Sequence, residues 1–161
     1  DFYGKDAFAV MGKFLSDLPE GAKNTYSMVG FRVANTLSEN GKVSRGVCEV
    51  NVEGNLVTVV ERTEIVRQES GDVCYKDEED WVMIPDNTPV SMNVWGFTPD
   101  YFDFSEREFI SFLDKRINEP KSEYFIPTVV DSLIKSGEIS CMINSHSALG
   151  ITPSSAFHTS K

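Results

Sequence analysis

The densest run of side chains that could hold a divalent cation is Lys76-Asp-Glu-Glu-Asp80. Consecutive charges between two apolar stretches are normally a solvated loop, and that is the expectation here, with no metal assigned to it. Elsewhere the chain is poor in catalytic devices. It has no Gly-x-Gly-x-x-Gly, no phosphate-binding loop, no Gly-x-Ser-x-Gly and no His-Glu-x-x-His. Its histidines, His146 and His158, fall in a Ser-rich tail, where an exposed side chain is the ordinary outcome and a Cys–His nucleophile pair has no supporting motif. Cys48, Cys74 and Cys141 are widely separated and form no Cys-x-x-Cys, so they read as reduced, structural thiols. What remains is Glu61-Arg62 at the end of a β-like run, Gly46 in the run before it, and Asn93 with Gly96 inside an apolar stretch. Each has a plain structural reading: a surface ion pair, a close-packing or bulge glycine, and a strand asparagine that needs hydrogen-bond partners wherever it is buried. Trp95, Phe97 and Tyr101 read as core.

The elements that must position these residues follow from periodicity. Residues 6–18 place Ala7, Phe8, Val10, Met11, Phe14, Leu15 and Leu18 at helical spacing, stopped by Pro19-Glu-Gly21. Residues 26–33 read as a mostly buried strand and 38–41 as a turn. Strands over 43–50 and 55–62 pair through Asn51-Val-Glu-Gly-Asn55, which has the glycine a short hairpin needs. A second hairpin is expected where 64–68 and 73–75 flank Glu69-Ser-Gly-Asp72. The continuous apolar character of 90–97 predicts a central strand covered on both faces. Ser105-Glu-Arg-Glu108 has the form of a capping box and predicts a helix start, with Phe109, Ile110, Phe112, Leu113 and Ile117 as the buried stripe. Pro127 and Gly137 bracket a further helix, and 139–143 is a short last strand. Helices alternating with strands predict an α/β fold: a mixed, mostly parallel central sheet flanked by helices, with an inserted antiparallel hairpin region.

At 161 residues and 40% hydrophobic content the chain is sized for one packed domain. A formal charge of −10 repels a phosphate backbone, so nucleic acid is not an expected partner. No stretch approaches the length of a membrane span, and the first residues lack the basic and apolar regions of a signal peptide, so the expected localisation is cytoplasmic. The abrupt start at Asp1, without Met, suggests a cut chain. Residues 144–161 form a Ser/Thr-rich tail expected to be loosely held.

Arg45-Gly-Val-Cys-Glu-Val50, a short turn, then Val59-Val-Glu-Arg62 resembles the pattern of sugar-phosphate nucleotidyltransferases, in which x-Gly-Val-x-Glu precedes an acid–base pair. Pro89-Val-Ser-Met-Asn-Val-Trp-Gly-Phe-Thr98 and Ser122-Glu-Tyr-Phe-Ile-Pro-Thr-Val-Val-Asp131 are similar to later segments of that family. The resemblance spans nearly all of 1–143 and implies the sugar-side, carboxy-terminal half of a partial nucleotide-diphospho-sugar transferase fold. It implies that Gly46 leaves room for the sugar ring, that Glu61 takes sugar hydroxyls and that Arg62 meets the sugar phosphate. A carboxylate that accepts from two hydroxyls and a guanidinium fork that matches phosphate suit those roles. Asn93 and Gly96 match the strand that passes under the sugar, and Glu123 matches an acidic residue at a helix start. Asp1 would neighbour the family's catalytic magnesium ligand.

The implied reaction joins a nucleoside triphosphate to a sugar 1-phosphate and releases pyrophosphate, with Mg2+ as the expected cofactor of the intact enzyme. The triphosphate-binding loop would lie before Asp1, and Ala148-Leu-Gly-Ile-Thr-Pro153 stands where the family has an aromatic segment or a second metal Asp. No turnover and no Mg2+ binding are therefore expected of these residues alone. The alternative is a non-catalytic sugar-phosphate binding or regulatory module of the same fold. Loss of half of a sheet also predicts self-association of the isolated chain.

Overall fold

The computed structural model describes residues 3–39 and 41–144. Asp1, the tail with His146 and His158, and the 148–153 segment lie outside the described residues. Helix α1 (Gly4–Asp17) is followed by strand β1 (Thr25–Arg32) and a 3-10 turn at Val33–Thr36. Strands β2 (Val43–Val50), β3 (Leu56–Arg67), β4 (Val73–Asp77), β5 (Asp80–Ile84) and β6 (Pro89–Gly96) come next. Helices α2 (Tyr101–Arg116) and α3 (Ile126–Lys135) and strand β7 (Ser140–Asn144) complete the order. The strands form one seven-stranded sheet in the order β5-β4-β3-β2-β6-β1-β7.

The sheet is mixed but not mostly parallel. Among the described residues only β1 and β7 run parallel, whereas β1–β6, β2–β3, β2–β6, β3–β4 and β4–β5 are all antiparallel. The reason is connection length. Short turns between β2, β3, β4 and β5 can only reverse the chain, and a parallel pair needs a crossover of a dozen or more residues, which only the helical stretch before β7 provides. The hairpin expected as an insertion thus makes up much of the sheet.

Two apolar layers sandwich the strands. On one face Ala7 and Met11 of α1 pack with Val29, Phe31, Val33, Ile65, Val73, Val90, Met92 and Val94. On the other, Val129, Val130 and Leu133 of α3 pack with Tyr26, Met28, Cys48, Leu56, Val59 and Cys141. Burial pushes the thiols of Cys48 and Cys141 up to about 12, which keeps both protonated and inert.

Three local expectations change. Ser105 lies inside α2, which begins a full turn earlier, just after Pro99. The N-cap residue, Asp100, makes no side-chain cap because its Oδ2 accepts from the Asn24 amide and the Tyr26 hydroxyl, both at 3.0 Å. The buried stripe expected on α2 is largely outside the core: Ile110 and Ile117 are 56% and 69% exposed. Finally, 76–80 is not a loop excursion. Lys76 and Trp81 pair across a tight reversal between β4 and β5, turned by Glu78 at φ 52°.

Helix α3 is held to the sheet by Asp131. Its Oδ1 accepts from Thr58 Oγ1 at 2.6 Å and from the Val59 amide at 3.0 Å. Pairing with β4 starts only at Ile65, so the first part of β3 has an open edge, and the carboxylate satisfies a ladder donor there.

Candidate functional site

The site is built on a cross-strand row. Glu61 on β3 registers with Gly46 on β2, Gly46 with Ser91 on β6, and Ser91 with Gly30 on β1. Small residues at three of these positions keep the sheet low on the α3 side. A Cβ on Gly46 would meet Val59 Cγ2 at 2.8 Å and Ser91 Cβ at 3.1 Å, so glycine is needed there for packing. The same position lies 3.7 Å from Glu61 Oε2, which places the carboxylate beside the glycine backbone.

Glu61 is half-buried and accepts no hydrogen bond among the described residues. Burial raises its carboxyl pKa above the ordinary range, and the charge of Arg45 opposes that rise. A partly desolvated carboxylate with open lone pairs is set up to accept from hydroxyl or amide donors of a ligand.

Arg62 faces the other way. Its guanidinium lies 4.3 Å from the centroid of Tyr75, a ring packed on the α1-side core, and donates to Asp77 Oδ1 at 2.9 Å. Adjacent strand residues point to opposite faces. Glu61 and Arg62 therefore share a strand but not a surface, and a ligand touching both must approach along the strand edge or wrap it. Arg45, the Cα partner of Arg62, is on the same face as Arg62. It donates to the Thr36 carbonyl at 2.6 Å and the Ser44 carbonyl at 2.7 Å. Burial lowers its pKa, with Glu61 and Tyr3 acting against that shift.

Asn93 is close to the row but in a different conformation. The β1–β6 register slips between Met28 and Gly30, and Asn93 takes up the slack at φ 64°, exposed, with its amide donating to Ser91 Oγ at 3.2 Å. Asparagine tolerates this left-handed backbone better than a branched residue would. Gly96 is not beside the others: a Cβ there would run into Met11 Sδ of α1, so this glycine seats a helix. Glu123 is also apart. It lines a groove of about 460 Å³ between α2 and α3, with Lys115, Lys121, Phe112, Tyr124 and Phe125.

Of the expected site residues, the fold thus brings Gly46, Glu61 and Asn93 to one neighbourhood, puts Arg62 on the reverse face, and sends Gly96 and Glu123 elsewhere. Sequence reasoning passed over Arg45 and Ser91. The signal for Arg45 was available in the hairpin register, which puts it opposite Arg62; Ser91 needed the non-local β2–β6 pairing. Among the described residues there is no group of three or more His, Cys, Asp or Glu side chains that could hold a metal ion. No helix among them is long and apolar enough to cross a membrane. Comparison with protein-family models and with curated proteins found no match.

Proposed function

We propose that this chain is the sugar-side half of a nucleotidyltransferase that joins a nucleoside triphosphate to a sugar 1-phosphate in the cytoplasm. A phosphate oxygen of the sugar 1-phosphate attacks the α-phosphorus, the bond to the β-phosphate breaks, and pyrophosphate leaves. The observation that carries this reading is Glu61, a half-buried carboxylate that accepts no hydrogen bond among the described residues, set beside the buried Gly46. Glu61 accepts from sugar hydroxyls, Gly46 keeps the approach low, and Asn93 offers an exposed amide at the adjoining bulge. The nucleotide-binding loop and the magnesium belong to the intact enzyme, and no step assigned to these residues runs through the metal.

Calorimetric titration of the chain with a panel of sugar 1-phosphates tests this. At least one is expected to bind, and Glu61→Gln is expected to weaken it about tenfold, the effect of one charge-assisted hydrogen bond. Unchanged affinity in Glu61→Gln, or no binding across the panel, refutes the assignment. The alternative of a non-catalytic sugar-phosphate module shares this binding result. The two part on whether the encoded protein carries a Gly-rich loop with Arg and Lys upstream of Asp1 and releases pyrophosphate.

A further inference from the structure

A strand at the edge of a sheet presents unpaired backbone donors and acceptors, and folded chains normally cover or blunt them. Two of the edges here are covered. Asp131 takes the Val59 amide where β3 runs beyond β4. The β2–β3 turn reaches β7, whose Ile143 amide donates to the Gly54 carbonyl at 3.0 Å and whose Met142 bridges Asn55. The edge of β5 is bare: among the described residues β4 is its only neighbour. The two-residue reversal closes on Asp77 and Asp80, so Asp80, Val82 and Ile84 turn their backbone groups to β4, and Trp81 and Met83 turn theirs outward. The same two residues have exposed side chains, 44% and 66%, on the sheet face shared with Lys76 and Cys74, their partners on β4. Within β5 there is no proline, no lysine and no break in register that would block a further strand.

Charge selects what can lie there. At this end of the sheet the cations Arg62, Arg67 and Lys76 are taken by Asp77, Asp86 and Glu79. Glu69, Asp72, Glu78 and Asp80 are left with no ion pair among the described residues. A second copy, of net charge −10, would bring the same surplus to the edge, whereas a cationic strand complements it.

We propose that β5 is a docking edge for an extended, basic segment of a partner protein, which extends the seven-stranded sheet by one strand. The backbone of that segment pairs with the outward N–H and C=O groups of Trp81 and Met83. Strand alternation sets its side chains: apolar residues on the Trp81 and Met83 face, lysine or arginine on the Asp80 face. The edge lies two strands from Glu61, and its use by a partner is independent of the sugar-phosphate reading.

Amide hydrogen exchange of the whole chain, read residue by residue by NMR, tests this with the end-blocked peptide Lys-Val-Arg-Val-Lys-Val-Arg. At up to ~1 mM the peptide is expected to slow exchange at Trp81 and Met83 about tenfold. Of two versions N-methylated at alternate residues, one is expected to bind about tenfold more weakly and the other to bind as the parent peptide does, because one set of N–H groups faces β5. Asp80→Lys is expected to weaken the basic peptide about tenfold. Unchanged exchange at both amides overturns the proposal, as do equal binding by the two N-methylated versions and equal protection by Glu-Val-Glu-Val-Glu-Val-Glu. Exchange that slows with protein concentration in the absence of peptide assigns the edge to a second copy and overturns it too. Because exchange is read in the unsubstituted chain, poor folding of the variant leaves the test intact.

Discussion

Replacing Asp131 by alanine is expected to destabilise the protein by about 3 kcal/mol. The carboxylate accepts from Thr58 Oγ1 at 2.6 Å and from the Val59 amide at 3.0 Å, and Lys135 Nζ lies 2.6 Å from its other oxygen. Val59 is 3% exposed, so removing the acceptor strands its N–H out of reach of water. Bonds to a charged group contribute roughly 1.5–3 kcal/mol each, and the Lys135 pair, with its lysine largely in solvent, adds little. Taking the bonds to Val59 and Thr58 together at somewhat less than their sum gives about 3 kcal/mol, or a fall in Tm of roughly 6–12 °C for a chain of this size. Urea unfolding monitored by far-ultraviolet circular dichroism measures it. Thr58→Val should cost about 1 kcal/mol alone and almost nothing in the Asp131→Ala background, since both remove the same bond. Asp131 also carries a pH signature. Burial pushes its carboxyl up, but the bonds from Lys135, Thr58 and Val59 together outweigh burial and leave the folded pKa lowered. Its stabilisation is therefore fully present above the unfolded carboxyl pKa near ~3.9 and is lost as pH falls through the lower folded value. Asp131→Asn should flatten the acid limb of the stability curve. A loss below about 1 kcal/mol in Asp131→Ala, or simple additivity with Thr58→Val, would refute the edge-capping account.

Gly46→Ala should cost about 1–3 kcal/mol by overpacking against Val59 and Ser91, and a partial rescue by Val59→Ala in the same unfolding assay would locate the clash. Asn93→Val should cost about 1–2 kcal/mol because a β-branched residue resists φ 64°, whereas Asn93→Gly should be tolerated; thermal melts of the pair decide it. Cys48 and Cys141, with thiols pushed up to about 12, should resist alkylation at mildly alkaline pH until the chain unfolds, as mass spectrometry of the labelled protein would record. The exposed apolar side chains along α2 and at its end, Phe102 at 74% with Ile110 and Ile117, should drive concentration-dependent self-association; a single monomer boundary at all concentrations in sedimentation velocity contradicts this.

Local order was legible in the sequence, and non-local order was not. The β2–β3 hairpin could be read because Asn51 and Gly54 mark a turn between alternating strands, and α3 because Pro127 and Gly137 fix its ends, Gly137 at φ 74°. Strand β5 was hidden because the charges at 77–80 read as solvated loop, although a two-residue reversal needs no more than Glu78 and Glu79 at its tip. The capping-box pattern at Ser105 misplaced the start of α2, since Asp100 already ends the preceding segment through contacts to Asn24 and Tyr26, far away in sequence. The same limit governs the site. Gly46 and Glu61 are hairpin neighbours and came out together, but the opposed faces of Glu61 and Arg62, and the place of Gly96 under α1, depend on which layer each side of the sheet meets.

The lone parallel pair has a mechanical consequence. β1 and β7 register over Thr25–Val29 and Ser140–Asn144, and Ile143 also ties β7 to the Gly54 carbonyl of the β2–β3 turn. Tension applied to the start of β1 and the end of β7 runs along both strands in opposite senses, so it loads every hydrogen bond of the pair in shear instead of peeling them one at a time. Pulled that way the molecule should yield late and all at once, whereas the same force across the β4–β5 hairpin should open it gradually, rung by rung.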